Sequence, residues 1–300
     1  MKNPATEGDL LKSVSRSFYL SMVFLPEEMR SAISLAYLLA RATDSVADTS
    51  SADAALRLVV LQQMGRAVAG KSAPEELAEL HRLLSGEMAE AQQNPSERTL
   101  LQRFGECLDM LRMMQEAQVG LIRRVLAVIV EGQCWDLTYF DSRTQVESDE
   151  DTLRYTYMVA GCVGEFWTDL GYETMGERFC HPERRDLMRQ AGVRFGRGLQ
   201  LINILRDLRE DAARGRSYLC SDEVCWQNRA ERFLRDGLDY GSRLGSFRLR
   251  FTVILPALLG LSTLKLIRGR KNQARVKVPR RKVYGLMLKA AFLSVMRRVS

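Results

Sequence analysis

Two pairs of aspartates, each spaced four residues apart, are the side chains in this 300-residue sequence best suited to chemistry: Asp44 with Asp48, and Asp207 with Asp211. At roughly 100° per residue, Gln200, Asn203, Asp207 and Asp211 fall within about 80° on one helical face, while Leu199, Leu201, Ile202, Leu205 and Leu208 take the other directions. Tyr37, Arg41, Asp44 and Asp48 align within about 60° on a second, equally aliphatic run. A carboxylate on a largely buried helix is costly unless it is paired or binds a cation, so two such edges point to a hard divalent ion. Magnesium suits them. It prefers oxygen, keeps several waters, and is commonly held by one or two carboxylates plus the phosphates of a substrate. The matching chemistry is ionisation of a carbon–oxygen bond to diphosphate, in which the metal and cationic side chains stabilise the departing charge and a carbocation remains.

Four blocks then carry a resemblance: Ser15-Arg16-Ser17-Phe18; Tyr37, Arg41, Asp44 and Asp48; Tyr155 through Val159 and Val163 to Gly164; and Gln200, Asn203, Arg206, Asp207, Asp211 and Arg216. In this order, across residues 13 to 265, they resemble the signature blocks of the squalene and phytoene synthase family. The resemblance implies an all-α, single-domain class I isoprenoid synthase bundle with a central cavity. It also implies a transferase that joins two farnesyl diphosphates head to head through a cyclopropylcarbinyl (presqualene) diphosphate, with Mg2+ between the aspartates and the phosphates. By the same resemblance, Arg16, Ser17, Tyr37 and Arg41 belong to a diphosphate pocket, and Phe18 contacts substrate. Asn203 joins the four aspartates at the metal, and Gln200, Arg206, Arg216, Val159 and Val163 contact substrate. Tyr155 takes the place of the catalytic tyrosine. The leading reading ends in reduction by NADPH to squalene; the alternative is a phytoene or dehydrosqualene synthase, which ends by proton loss. Thr156 stands where many relatives have Cys, and Cys220 where a Pro is usual.

The elements that must position these groups read as helices throughout. The sequence predicts a first helix over Ser13–Leu25 and a second opening at Pro26-Glu27-Glu28 and delivering the first Asp pair. Residues 52–117 read as amphipathic scaffold. Val119–Asp136 reads as a central helix whose Glu131-Gly132 and Asp136 resemble a weaker family block. Ser148-Asp149-Glu150-Asp151 predicts a capped helix start leading into Tyr155, with Tyr157 pointing elsewhere. Gly161 and Gly164 each cost a helix about 1 kcal/mol, explicable if a prenyl chain passes close by or if another helix does.

Composition narrows the rest. Six cysteines without a Cys-x-x-Cys spacing, two histidines (His81 and His181) and a polar start predict a reduced cytoplasmic protein without zinc or di-iron. No Gly-x-Gly-x-x-Gly fingerprint occurs, so any NADPH is expected at the prenyl cavity rather than on a Rossmann module. The longest apolar run, Phe251–Leu261, is too short to span a bilayer. The net charge of +7 is confined to the end: Lys265–Ser300 holds twelve Lys or Arg and no acid, leaving the preceding chain at −5, from 32 basic and 37 acidic residues. The expected organisation is therefore a synthase domain over 1–265 and a basic tail over 266–300. That tail reads either as a solvated final helix or as a peripheral contact with the anionic inner face of a membrane, through a basic amphipathic helix over Val283–Val299; a basic tail is not a nucleic-acid reader.

Overall fold

The structure is a computed structural model that describes residues 10–14, 22–270 and 275–296. Among the described residues it is helical without a strand; the nearest approach to a sheet is one isolated bridge between Gln145 and Ser217. The chain divides into two compact units, residues 1–23 with 27–138, and residues 24–26 with 139–300. Only the edges of the predicted first helix are described, and Arg16, Ser17 and Phe18 lie outside the described residues.

The first unit contains α1 (Glu27–Asp48), α2 (Ala54–Val68), α3 (Pro74–Leu83), α4 (Pro95–Gln102), α5 (Phe104–Arg112) and most of α6 (Glu116–Ser142). Helix α1 opens as predicted, with Glu27 and Glu28 in its first turn, where carboxylates complement the exposed N–H groups. It buries Met29, Leu35, Leu38, Leu39, Ala42 and Val46 against α2, α4 and α5. Its acidic end is tied down by side chains from α4 and the segment before it. Ser45 Oγ donates to Glu97 at 3.0 Å, and Gln92 donates to Thr49 Oγ at 3.2 Å. The expected central helix is present and longer than the apolar run that announced it, reaching Ser142.

The second unit holds α7 (Asp149–Thr156), α8 (Cys162–Met175), α9 (Arg185–Ala213), α10 (Glu223–Arg243), α11 (Phe247–Arg268) and α12 (Arg280–Val295). The capping box at the start of α7 forms as expected: Ser148 Oγ accepts from Asp151 N, and the Asp151 carboxylate accepts from Ser148 N at 3.0 Å. Helix α9 packs against α8, α10 and α11. The close approach of α8 rests on glycine. A methyl group on Gly164 would lie 2.0 Å from the Gly192 carbonyl oxygen, and one on Gly196 would lie 2.3 Å from that of Ala160. Of the two explanations for Gly164, helix packing is thus the one realised. At the far end, Gly215 with φ +74° stops α9, and Arg216 N turns back to donate to Asp211 O at 2.9 Å.

Helix α11 differs from expectation. The eleven-residue run sits within a 22-residue helix that is apolar and long enough to cross a membrane, despite Arg248, Arg250 and Pro256. Two-thirds of its most apolar window is buried inside the protein, the signature of a core helix.

Candidate active site

The first acidic cluster sits at the end of α1. Asp44 accepts a hydrogen bond from Gln133 Nε2 at 2.5 Å, and its carboxyl pKa is pushed up to about 7. Burial is the main cause and the neighbouring Asp48 carboxylate adds to it; Arg41 and Gln133 pull the other way without cancelling it. Arg41 lies on the same stripe, 3.9 Å from Glu97, and its Nε is buried with no hydrogen-bond partner among the described residues. The Oε1 of Gln133 is likewise buried and unpartnered. Tyr37 donates to the Val14 carbonyl at 3.2 Å, and burial raises its pKa. The cluster therefore offers two mutually repelling carboxylates one turn apart, an unused guanidinium donor and an unused amide acceptor. A divalent cation would relieve the first, a phosphate oxygen would accept from the second, and a water of the cation's hydration shell would donate to the third.

This geometry fixes a pH dependence. The pKa of about 7 for folded Asp44 stands above the ordinary 3.8, so the folded state holds the proton more tightly than the unfolded one. Stability without metal should consequently fall as pH rises from about 4 to about 7. Saturating magnesium should flatten that fall, and Asp44→Asn should remove the part due to this carboxyl. Urea midpoints across the window check it: an identical slope in wild type and variant means that another group titrates.

The second cluster is on α9. Gln200, Asn203, Asp207 and Asp211 share the predicted stripe, Leu201, Ile202 and Leu205 are buried opposite, and Asn203 Nδ2 donates to Gln200 Oε1 at 3.2 Å. Asp207 receives both arms of Arg206, at 2.9 and 2.5 Å, and Arg275 Nε at 3.1 Å. Arg275 also reaches Glu210 at 3.2 Å, and Arg270, almost fully enclosed, bonds Glu223 at 3.0 Å. Carboxylates interleaved with guanidiniums can hold a cation and the phosphate it binds together, the arginines transferring from Asp207 to phosphate oxygens.

Tyr155 stacks on Tyr218 with ring centres 4.6 Å apart and 16° between planes. Phe140 meets the edge of Tyr218, and the Arg216 guanidinium lies 5.9 Å from the Phe140 ring centre. Tyr157 does point elsewhere: its hydroxyl donates to Glu165 at 2.9 Å, and burial, reinforced by that carboxylate, raises its pKa to about 12. Between the two tyrosines and Val163 runs a π-helical turn, Tyr157–Gly161, a local widening that recurs at functional sites. It inserts a residue, so the shared face of Tyr155, Val159 and Val163 no longer follows a 3.6-residue count. Val159 is half-buried and Val163 is exposed.

Gln133, Glu97 and Arg275 are the partners that sequence reading missed. Gln133 had one faint signal, a polar residue inside an apolar helical run. Among the described residues, no group of three or more His, Cys, Asp or Glu side chains could hold a metal ion, so a cation at either Asp pair would take its remaining ligands from water and substrate.

The squalene/phytoene synthase family model matches residues 11–227, which include both Asp pairs and Tyr155. The chain belongs to this family. It is 30% identical over 226 residues to a 15-cis-phytoene synthase of Synechococcus elongatus, covering 75% of this chain and 63% of the relative. It is 27% identical over 202 residues to a probable squalene synthase of Neurospora crassa, covering 67% and 38%. The chain thus spans between about a third and two-thirds of the length of these relatives. TcSQS, solved in complex with the ligand E5700, superposes with a TM-score of 0.73 at 23% identity, over 97% of this chain and 88% of that one. The fold is accordingly the all-α isoprenoid synthase fold of the squalene synthase structures.

Proposed function

We propose that this member of the squalene/phytoene synthase family is a prenyl transferase that joins two farnesyl diphosphates head to head and, with NADPH, yields squalene. The observation that carries the reading is the Asp44–Asp48 pair, where the raised pKa of Asp44 and the unpartnered Nε of neighbouring Arg41 ask for a cation and an anion at one place. Bound magnesium supplies neutralisation of the charge gathering on the departing diphosphate. Asp44 and Asp48 on α1, and Asp207, Asp211 and Asn203 on α9, would each hold such an ion. Arg41, Tyr37, Gln200, Arg206 and Arg216 would grip phosphate oxygens, together with Arg16 and Ser17, and Phe18 would be a further substrate contact.

In the first half-reaction one farnesyl diphosphate loses diphosphate to give an allylic cation. The double bond of the second attacks this cation, and loss of a proton closes a cyclopropylcarbinyl diphosphate. Tyr155 is assigned to that proton transfer, and Val159 and Val163 to the hydrocarbon chains. In the second half-reaction diphosphate leaves again, the cation rearranges, and a hydride ends the sequence. Exclusion of water protects the cation and leaves its fate to whichever quencher reaches it. NADPH would have to reach it without a Rossmann module, for which there is neither a glycine fingerprint nor, among the described residues, a strand.

The alternative, a phytoene or dehydrosqualene synthase, shares the first half-reaction and ends by losing a second proton; the likeness to a 15-cis-phytoene synthase speaks for it. Product analysis with farnesyl diphosphate and magnesium, with and without NADPH, separates the two. Squalene is expected with NADPH, and cyclopropylcarbinyl diphosphate or dehydrosqualene without it. A conjugated hydrocarbon as the main product under both conditions transfers the assignment to the alternative.

A further inference from the structure

Helix α12 is apolar on two opposite faces. Its inner face is occupied: Ala290 and Ser294 are buried, and Leu286, Met287 and Leu293 pack with Ala290 against Phe251, Ile254 and Leu258 of α11. Arg250 fastens its end by donating from Nε to the Ser294 carbonyl at 2.6 Å. On the outer face, Tyr284, Leu288, Phe292 and Val295 fall within about 80° of one another, and Met296 follows at the helix end. Each is between 59% and 75% exposed. A lone exposed leucine needs no explanation, but four large apolar side chains on one face of a fixed helix, with a fifth at its end, form a strip, and such strips mark a contact.

The charge around the strip selects the partner. Arg280, Arg281, Lys282 and Lys289 flank it on the same helix, and Lys265 to the chain end carries twelve basic residues without an acid. A second copy docked face to face would set two such strips against each other, like charge on like charge. A bilayer with anionic headgroups offers the complement to both features at once. Acyl chains take the apolar side chains and the phosphates take the flanking cations, which is how a helix lies in a membrane interface.

We infer that the outer face of α12 seats this protein on an anionic lipid surface, with the helix in the plane of the membrane. The test mixes the full-length protein with vesicles of phosphatidylcholine alone or of equimolar phosphatidylcholine and phosphatidylglycerol, and measures co-sedimentation. Wild type should bind the anionic vesicles and bind the neutral ones far more weakly. Leu288→Glu with Phe292→Glu should weaken anionic-vesicle binding by about a hundredfold, since it removes two buried anchors and adds repulsion. Both side chains are exposed, so circular dichroism and elution volume should stay those of wild type. Arg281→Glu with Lys282→Glu should weaken binding at least about twentyfold, on about fivefold per lost cation.

Absence of wild-type binding to anionic vesicles overturns the inference. So does unaltered binding by the Leu288/Phe292 double variant, which would leave headgroup attraction to the basic residues as the sole contact. A wild-type dimer that this double variant converts to monomer, with no vesicle binding by either, gives the face to a second copy instead.

Discussion

Asp44→Asn is expected to lower kcat by on the order of 10³ while the protein stays folded, and Asp207→Asn to have an effect of similar size. Asparagine keeps the shape of the side chain and removes its charge. At position 44 it also removes a carboxyl whose pKa of about 7 reflects burial and the repulsion of Asp48, so the variant should lose activity and gain stability at neutral pH without metal. At position 207 it frees Arg206 and Arg275 from the oxygens they hold at 2.5 to 3.1 Å. The loss should fall on kcat more than on KM, because the interaction strengthens as the leaving group gathers charge. Gln133→Leu should cost less, about 10- to 100-fold, since Gln133 orients Asp44 and is not itself assigned to the cation. Steady-state kinetics at saturating magnesium check all three. Near-normal turnover in Asp207→Asn removes the metal assignment from α9.

Tyr155→Phe carries the second large expectation, a loss of about 10² to 10⁴ in formation of the cyclopropylcarbinyl diphosphate. Phenylalanine retains the ring stacked on Tyr218, so the variant should stay folded by circular dichroism, and a loss confined to the rate separates a chemical from a structural role. Tyr157→Phe is the control. Its hydroxyl is engaged with Glu165, and its loss should leave the first half-reaction within a few-fold of wild type. Single-turnover assays of the intermediate decide the matter. A normal rate in Tyr155→Phe would mean that the proton leaves by another route, the released diphosphate being the obvious acceptor.

The legible parts of the site were the local ones. Helix periodicity aligned Tyr37, Arg41, Asp44 and Asp48 on one stripe and Gln200, Asn203, Asp207 and Asp211 on another, and both helices formed with those residues on them. Ser148 and its acids announced α7 because a capping box closes within four residues. Contacts made at long range were not legible. Gln133 meets Asp44 across 89 positions of chain, and Arg275 and Asp207 are likewise far apart in sequence, so no period or spacing could pair them. Gly164 shows a further limit. The cost of a helical glycine is visible in sequence, but what comes close to it, here the Gly192 backbone, depends on how α8 and α9 pack. The π turn escaped for a related reason, since a single inserted residue leaves the hydrophobic pattern nearly unchanged.

The most direct test of the central claim is the release of inorganic diphosphate from farnesyl diphosphate, followed as magnesium is titrated against a chelator. Release by wild type should rise from background to saturation with the metal, be accompanied by a thirty-carbon product, and drop by orders of magnitude in Asp44→Asn and Asp207→Asn. Release that persists undiminished in excess chelator, or that survives both substitutions, would contradict the assignment of the two aspartate pairs to metal-assisted ionisation.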